Sequence, residues 1–263
     1  MVNQIETIKI EVRPKLRNPL MILAFRGWND GGQSATNVIR TMIKTFDAKR
    51  FATMDPEPYY VFSENRPTVR LVDGDSRREV EWQKNEFFYA PLPGLKRDLV
   101  LFLGTEPNLM WRTYCEQIVA LVKDLGVREG VTLGAFLGDV LYTLPVQING
   151  FSSNLKLMDE HELERTSYEG PTGIVGVINS EMQQQGFQTL SLWAAVPYYI
   201  SIPNPKAVLA LVTKLKAIFG FQMDTSDMEE NAENFDNEIN DVVSKDPNIA
   251  AYVRELKKRD FLN

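Results

Sequence analysis

Short, continuous apolar runs alternate along the chain with longer stretches whose apolar residues recur every three or four positions. Such runs are typical of strands covered on both faces, and the wider spacing is typical of amphipathic helices. The predicted strands are residues 18–26, 98–104, 131–137 and 188–196, and the predicted helices are residues 33–46, a helix ending at Gly126, residues 172–186 and residues 205–219. Strands that alternate with helices predict an α/β protein, with a three-layer α/β/α fold around a mixed, mostly parallel sheet.

Residues 59–90 follow a different pattern. Apolar and charged residues alternate in residues 68–72 and again in residues 78–82, on either side of Asp73-Gly74-Asp75-Ser76. Two alternating segments around an Asp-Gly turn are typical of a β-hairpin. We therefore expect an edge hairpin at the border of the main sheet.

The end of the chain differs from the rest in charge. Residues 217–244 contain eight acids and no lysine or arginine, so this segment carries −8 while the whole chain carries −6 and the remainder +2. The change predicts a body at residues 1–221 and a C-terminal appendage at residues 222–263. Apolar residues recur at helical spacing on both sides of Asp246-Pro247, which predicts that the appendage is a helical hairpin.

The first helix of this hairpin has an apolar seam, formed by Met228, Ala232, Phe235, Ile239 and Val242. Spacings of four and three place these side chains on one face of a helix that is otherwise mostly acidic. The seam packs either on the body of its own chain or against another subunit, and five positions do not distinguish these alternatives.

The cysteine and histidine content excludes several kinds of site. The 263 residues include one cysteine, Cys115, and one histidine, His161, so one chain can form neither a disulfide framework nor a Cys-based or HExxH metal site. The sequence also lacks the GxSxG motif that positions a nucleophilic serine. We therefore assign no catalytic residue, no metal and no cofactor from the sequence.

Charge and hydropathy predict the cellular compartment of the protein and exclude one class of partner. A net charge of −6 argues against general nucleic-acid binding. No apolar stretch reaches 18 residues and the first residues form no apolar signal segment, so we expect no membrane span and no signal peptide. A cytoplasmic protein is the expectation.

A glycine-rich loop, GWNDGG at residues 27–32, lies between the first predicted strand and the first predicted helix. Its spacing matches a phosphate-binding P-loop, but Gln33 occupies the position where that motif requires lysine. Without this ammonium group nucleotide hydrolysis is disfavoured, and Asp30 would repel a phosphate. The loop therefore either permits a tight turn or binds a small ligand through its backbone N–H groups.

Polar side chains also follow the other predicted strands. Ligands of open α/β sheets bind at the carboxyl ends of the strands, so these groups could form one site whose carboxylates hold Mg²⁺ or act as acid and base. They could instead cap the neighbouring turns and helices. The candidate ligand-binding residues are Asn29, Asp30, Gly31, Gly32, Glu106, Asp139, Tyr142 and Tyr198.

Five segments together resemble the proteasome assembly chaperone family, in particular its prokaryotic branch. The segments are GWNDGG at residues 27–32, GTEPNLMW at 104–111, GAFLGDVLYTLPVQINGF at 134–151, YEGPTGIVG at 168–176 and LWAAVPYYISIPNP at 192–205. The resemblance implies a phosphorylase/hydrolase-like α/β/α core and a homo-oligomer, trimeric or larger. It also implies a chaperone-like role, because archaeal and eukaryotic relatives assist the assembly of 20S proteasomes.

The sequence departs from the pattern of this family at two places. Relatives that bind the proteasome end in a hydrophobic residue, a tyrosine and any residue, whereas this chain ends in Phe261-Leu262-Asn263, which argues against direct proteasome docking. Many members of the branch have histidines at the positions of Tyr142 and Tyr198, so the resemblance transfers no histidine chemistry to this chain.

Two functions of different classes remain. The first is a non-enzymatic, homo-oligomeric scaffold or assembly-chaperone-like protein with a protein client. The alternative is a small-molecule hydrolase or phosphorylase-like enzyme with its site at the carboxyl ends of the strands. The missing P-loop lysine and the missing nucleophile motif favour the first.

Overall fold

The computed structural model describes residues 7–72, 77–165 and 168–260. The strands in these residues are β1 (Ile8–Ile10), β2 (Leu20–Arg26), β3 (Lys49–Met54), β4 (Thr68–Val72), β5 (Arg77–Glu81), β6 (Glu86–Ala90), β7 (Leu99–Thr105), β8 (Glu129–Gly138), β9 (Ile148–Ser152), β10 (Glu164–Arg165) and β11 (Gln188–Pro197). The α-helices are α1 (Ser34–Thr45), α2 (Trp111–Asp124), α3 (Leu155–Glu160), α4 (Ile174–Gln184), α5 (Pro205–Phe219), α6 (Ser226–Lys245) and α7 (Pro247–Asp260). None of these helices is both long enough and apolar enough to cross a membrane.

Nine of the strands in the described residues form one mixed sheet in the order β1-β3-β6-β7-β2-β8-β11-β9-β10. The four central strands, β7, β2, β8 and β11, are parallel. On either side of them β6 pairs antiparallel with β7, and β9 pairs antiparallel with β11. The predicted three-layer fold and mixed sheet are confirmed. In the described residues four pairings of this sheet are parallel and four are antiparallel, so the predicted parallel majority holds only for the central strands.

Strand β2 shows why the central strands are continuously apolar. Leu20 and Ile22 face the layer that contains α1 and α5, whereas Met21 and Leu23 face the layer that contains α2 and α4. All four side chains are fully buried. A strand with helices on both faces has no solvent side, so apolar residues occupy successive positions.

The hairpin in residues 59–90 forms, but not as a border of the main sheet. β4 and β5 make a separate two-stranded sheet, here called the ribbon, in which Val69 lies opposite Val80 and Arg70 opposite Glu79. The strand that joins the main sheet is the next one, β6, which pairs with β3 and β7. Nearly all ribbon residues are exposed, so the ribbon packs against neither helix layer of its own chain. The predicted turn at residues 73–76 lies outside the described residues.

The predicted C-terminal helical hairpin is confirmed as α6 and α7. The seam of α6 packs on its own chain, where Phe235 and Ile239 are buried with Tyr142 and Val253. The last seam position is shifted by one residue, because Val242 is 46% exposed and Val243 joins the cluster. The predicted boundary between residues 221 and 222 falls in the segment that joins α5 to α6.

Candidate functional site

Asp30 is buried beside the first turn of α1, and its carboxylate accepts two hydrogen bonds from one residue. Oδ1 accepts from the backbone N–H of Thr36 at 3.1 Å, and Oδ2 accepts from the Thr36 hydroxyl at 2.6 Å. Burial raises the pKa of Asp30, while these hydrogen bonds and the charge of Arg40 act against the rise. The described contacts of Asp30 are therefore those of a helix cap, which satisfies an otherwise unpaired N–H group.

Asn29 and Glu106 meet at the N-terminus of α4. Glu106 Oε1 accepts a hydrogen bond from the N–H of Ile174 at 2.9 Å, and its Oε2 accepts from the N–H of Trp28 at 3.1 Å. Asn29 Oδ1 lies 3.5 Å from the backbone nitrogen of Val175. Two other loops thus supply acceptors to the first N–H groups of α4, and the negative charge of Glu106 lies at the positive end of the helix dipole.

The glycines around these groups permit close backbone approach. A Cβ on Gly173, just before α4, would collide with Asn29 Oδ1, and a Cβ on Gly31 would lie 2.9 Å from a methyl group of Val196. Gly32 has a φ of +57°, and its carbonyl accepts the N–H of Asn204 at 2.8 Å. In the described residues, the GWNDGG loop therefore serves the close packing of strand ends against helix starts.

Asp139 and Tyr142 lie apart from these loops, against the C-terminal helices. The buried hydroxyl of Tyr142 donates to Oδ1 of Asn240 in α6 at 2.7 Å, and the Tyr142 carbonyl accepts from Lys206 Nζ at 2.5 Å. The exposed carboxylate of Asp139 lies 3.6 Å from the guanidinium of Arg259 in α7. The segment after β8 therefore contacts both helices of the hairpin.

Tyr198 belongs to an aromatic group at the end of β11. Its ring lies 5.9 Å from that of Tyr199 and 5.2 Å from that of Tyr252 in α7, measured between centroids. The Tyr199 hydroxyl accepts from the N–H of Tyr142 at 3.2 Å and lies 3.1 Å from the carbonyl of Val140. The aromatic group thus connects the end of β11, the segment after β8 and α7.

The candidate residues therefore separate into three groups with different contacts. Asp30 caps α1, Asn29 and Glu106 contact the start of α4, and Asp139, Tyr142 and Tyr198 contact the C-terminal helices. In the parts of the chain that the structure describes, no three His, Cys, Asp or Glu side chains come together as a metal site. The described contacts of the three carboxylates are with different elements rather than with one another.

Two cavities border these groups. The first, of about 420 Å³, lies beside Glu106 and is also lined by Trp28 and Trp111. The second, of about 330 Å³, lies between the segment after β8 and the C-terminal helices, with Asp139 and Lys206 in its lining. Both oxygens of Glu106 already accept N–H groups, so this carboxylate positions the start of α4 beside the first cavity.

The single cysteine and the single histidine of the chain lie away from these groups. Cys115 is buried in α2, and burial raises the pKa of its thiol, which keeps it protonated. His161 follows α3, and its carbonyl accepts a hydrogen bond from Lys214 Nζ at 3.1 Å. Neither side chain belongs to the described lining of the two cavities.

Sequence reasoning did not find Asn204 and Lys206. Asn204 caps α5 by accepting the N–H of Ala207 at 3.1 Å, and the Asn-Pro pair at 204–205 is a local signal that could have revealed this cap. Lys206 is only 15% exposed, and its Nζ donates to both oxygens of Asp236 at 2.8 and 3.0 Å. No local pattern marks this pair, because its members lie 30 positions apart.

A match to a known family covers all of the candidate residues, together with Asn204 and Lys206. The model of the PAC2 family matches residues 24–243 of the chain. The chain belongs to the PAC2 family. The matched part begins in β2 and ends in α6, so the PAC2 pattern includes the strand-end residues and the docked helix. No curated protein sequence matches the chain.

Solved structures of similar proteins have the same fold. A PAC2 family protein from Streptomyces avermitilis is 39% identical over 89% of this chain and 99% of its own, with a TM-score of 0.80. A proteasome-assembly chaperone homologue from Mycobacterium tuberculosis is 36% identical over 89% of this chain and 99% of its own, also with a TM-score of 0.80. The archaeal proteasome activator PbaB from Pyrococcus furiosus is 21% identical over 90% of this chain and 98% of its own; its TM-score of 0.74 indicates a shared fold.

Proposed function

We propose that this PAC2 protein is a non-enzymatic, homo-oligomeric scaffold or assembly chaperone that acts on a protein client in the cytoplasm. The apolar face of the ribbon is the observation that carries the proposal. Val69 and Val80 lie opposite each other, and Leu71 follows on the same face. These three side chains are 61%, 52% and 49% exposed, respectively.

A second polypeptide that covers this face would stabilise the ribbon. A two-stranded ribbon is marginally stable by itself in water, and adjoining exposed apolar side chains are typical of interaction surfaces. A second chain placed on the face would remove Val69, Leu71 and Val80 from water and would stabilise the ribbon. An extended protein surface fits this requirement better than a small molecule does.

The first partner that we propose is another copy of the same chain, in a closed assembly of three or more subunits. Every chain carries the ribbon, so a partner that is always present in matching amount is the chain itself. Each copy also exposes large apolar side chains at the carboxyl ends of its strands, such as Trp28 at 65% and Leu137 at 58%. A contact between the ribbon of one copy and a different surface of the next is heterologous, and heterologous contacts form a ring where the rotation between subunits closes.

The contacts of the strand-end groups support the non-enzymatic part of the proposal. Asp30 and Glu106 accept backbone N–H groups of α1 and α4, and Gln33 replaces the lysine that a P-loop requires. The 36% identity to a proteasome-assembly chaperone homologue supports the assembly role. The tail at residues 261–263 lies outside the described residues, and its sequence leads us to propose no direct docking to a proteasome.

Light scattering over a dilution series tests the homo-oligomer. One chain has a mass of 30.0 kDa, and we expect the mass of three or more chains. A mass of 30.0 kDa that is independent of concentration would contradict the proposal. Affinity capture with mass spectrometry tests the client: we expect one dominant partner other than the chain itself, and a chain that reproducibly captures none would contradict the chaperone role.

A further inference from the structure

A further open cleft lies where the foot of the ribbon meets the α1 side of the sheet. It has a volume of about 380 Å³, and four cationic side chains contribute to its lining. Arg26 ends β2, Arg40 lies in α1, Arg66 precedes β4, and Lys84 precedes β6. The cleft adjoins the cavity beside Glu106, with which it shares Arg26.

Carboxylates of the chain leave most of this positive charge unpaired, although the charge of the buried Asp30 acts on Arg40. Two glutamates also line the cleft, but Glu81 pairs with Arg70 at 3.5 Å and Glu86 pairs with Arg50 at 2.9 Å. Across residues 7–72, 77–165 and 168–260, the four cations of the cleft form no salt bridge. An anion from outside the chain would supply the missing negative charge.

Arg40 is fixed in the wall of this cleft. Its Nη1 donates to the Thr36 hydroxyl at 2.9 Å and to Asn37 Oδ1 at 3.0 Å. Burial lowers the pKa of Arg40, the charge of Asp30 opposes this change, and the positive charge of Arg26 adds to it. An anion bound between these two guanidinium groups would offset their electrostatic repulsion.

We propose that the cleft binds an organic phosphate of the nucleoside diphosphate class. Guanidinium groups match the geometry of phosphate oxygens and bind them in pairs, so Arg26 and Arg66 would hold the phosphates with Arg40 and Lys84 adding charge. A volume of about 380 Å³ lies within the range of small-molecule sites. This binding requires no bond cleavage and does not use the GWNDGG backbone.

Trp82 provides the surface for the ring of such a ligand. It lines the cleft, is 47% exposed, and packs against Phe62 with 4.8 Å between ring centroids at a steep angle. An aromatic side chain held in this way can stack on a base whatever the identity of that base. The ligand would thus contact the main sheet through Arg26 and the foot of the ribbon through Trp82 and Arg66.

Calorimetric titration of the full chain with pyrophosphate and with ADP tests the site. We expect both probes to bind, and we expect Arg26→Gln and Arg66→Gln each to weaken both by about tenfold, because each removes a charge-assisted hydrogen-bond donor. Trp82→Leu should lower the affinity for ADP by about tenfold and leave the affinity for pyrophosphate unchanged, because only ADP carries a base that can stack on the indole ring. The matched control is Arg112→Gln, an exposed cation of α2 outside the cleft, which should leave both affinities unchanged.

The outcomes distinguish a specific binding site in the cleft from non-specific electrostatic attraction of anions to the protein. Arg26 and Arg66 are exposed and form no salt bridge in the described residues, so their variants should keep the unfolding midpoint of the parent chain. Failure of both probes to bind at millimolar concentration would overturn the proposal. Equal weakening by Arg112→Gln, or binding of a polyglutamate peptide as tight as that of pyrophosphate, would also overturn it.

Discussion

The ribbon and the C-terminal hairpin are two amphipathic elements of one chain with opposite surroundings. Phe235 and Ile239 of α6 are 4% and 2% exposed, whereas Val69 and Val80 of the ribbon are 61% and 52% exposed. The helical seam packs on its own chain, and the ribbon face is open to solvent. An amphipathic pattern thus predicts that a face requires cover, but it does not predict which molecule supplies the cover.

The surface available to each element explains the difference. α6 follows α5 closely in the chain and packs beside it, where Lys206 pairs with Asp236 and Tyr142 bonds to Asn240. These polar contacts surround an apolar cluster, so the hairpin meets both kinds of complementary group. The ribbon instead extends from a foot bordered by cations, including Arg66, which offer its apolar face no matching surface.

The largest effect that we expect is from Phe235→Asp in the buried seam. The substitution removes a large apolar side chain and buries a carboxylate, so docking of α6 and α7 should lose about 3–5 kcal/mol. Hydrogen exchange should show lost protection in both helices while the amides of β2 stay protected. The control is Val242→Asp on the same helix, which is 46% exposed and should change stability by less than about 0.5 kcal/mol. Unchanged protection of α6 in Phe235→Asp would show that the seam does not hold the hairpin.

The sequence predicted the centre of the fold better than its borders. β2, β7, β8 and β11 are buried on both faces, so each appears as a continuous apolar run. β3 was missed because it opens with the exposed Lys49 and Arg50 directly after α1, and β1 was missed because it has only three residues. A strand at the border of a sheet buries little, so its sequence carries a weak signal.

The sequence predicted which residues lie at the candidate site, but it did not predict which groups they contact. Asn29 and Glu106 were found because both follow strand ends, and the structure brings them together at α4. Spacing could not decide between catalysis and capping, because the N–H group that Glu106 accepts belongs to Ile174, 68 positions further along the chain. The seam was predicted, but its partner Tyr142 could not be, since only tertiary packing joins them.

Removal of the Lys206 ammonium should have the next largest effect. Lys206→Met removes hydrogen bonds to Asp236 and to the Tyr142 carbonyl, which should lower the free energy of unfolding by about 1.5–3 kcal/mol in chemical denaturation. Lys257→Met on the exposed face of α7 is the control and should cost less than about 0.5 kcal/mol. Equal costs for the two variants would mean that the hairpin docks through its apolar seam alone.

A smaller effect is expected at the loop that supports the start of α1. Asp30→Ala removes the cap on Thr36 and should cost about 1–2 kcal/mol in chemical denaturation. Asp139→Ala, which removes the exposed carboxylate near Arg259, is the control and should cost less than about 0.5 kcal/mol. A larger loss from Asp139→Ala than from Asp30→Ala would reverse our ranking of the two strand-end carboxylates.

The same pair of variants tests the alternative enzyme function. The wild-type chain should show no Mg²⁺-dependent ATP hydrolysis, because Gln33 replaces the P-loop lysine. Turnover measured by phosphate release, present in the wild type and lost in Asp30→Ala but not in Asp139→Ala, would favour the enzyme.

The smallest effect on stability should come from substitutions in the ribbon. These substitutions also test whether the exposed ribbon face, unlike the buried seam of α6, is covered by a second chain. In the double variant Val69→Glu, Val80→Lys the two opposite side chains can pair across the strands, so the ribbon keeps its register while its apolar face is lost. The free energy of unfolding of the monomer should change by less than about 0.5 kcal/mol, because both positions are exposed in the isolated chain. Light scattering should nevertheless show the mass fall from that of the assembly to 30.0 kDa. The control Val242→Lys alters an exposed valine of α6 and should leave the assembly intact; an assembly that survives the ribbon variant would mean that a different surface joins the subunits.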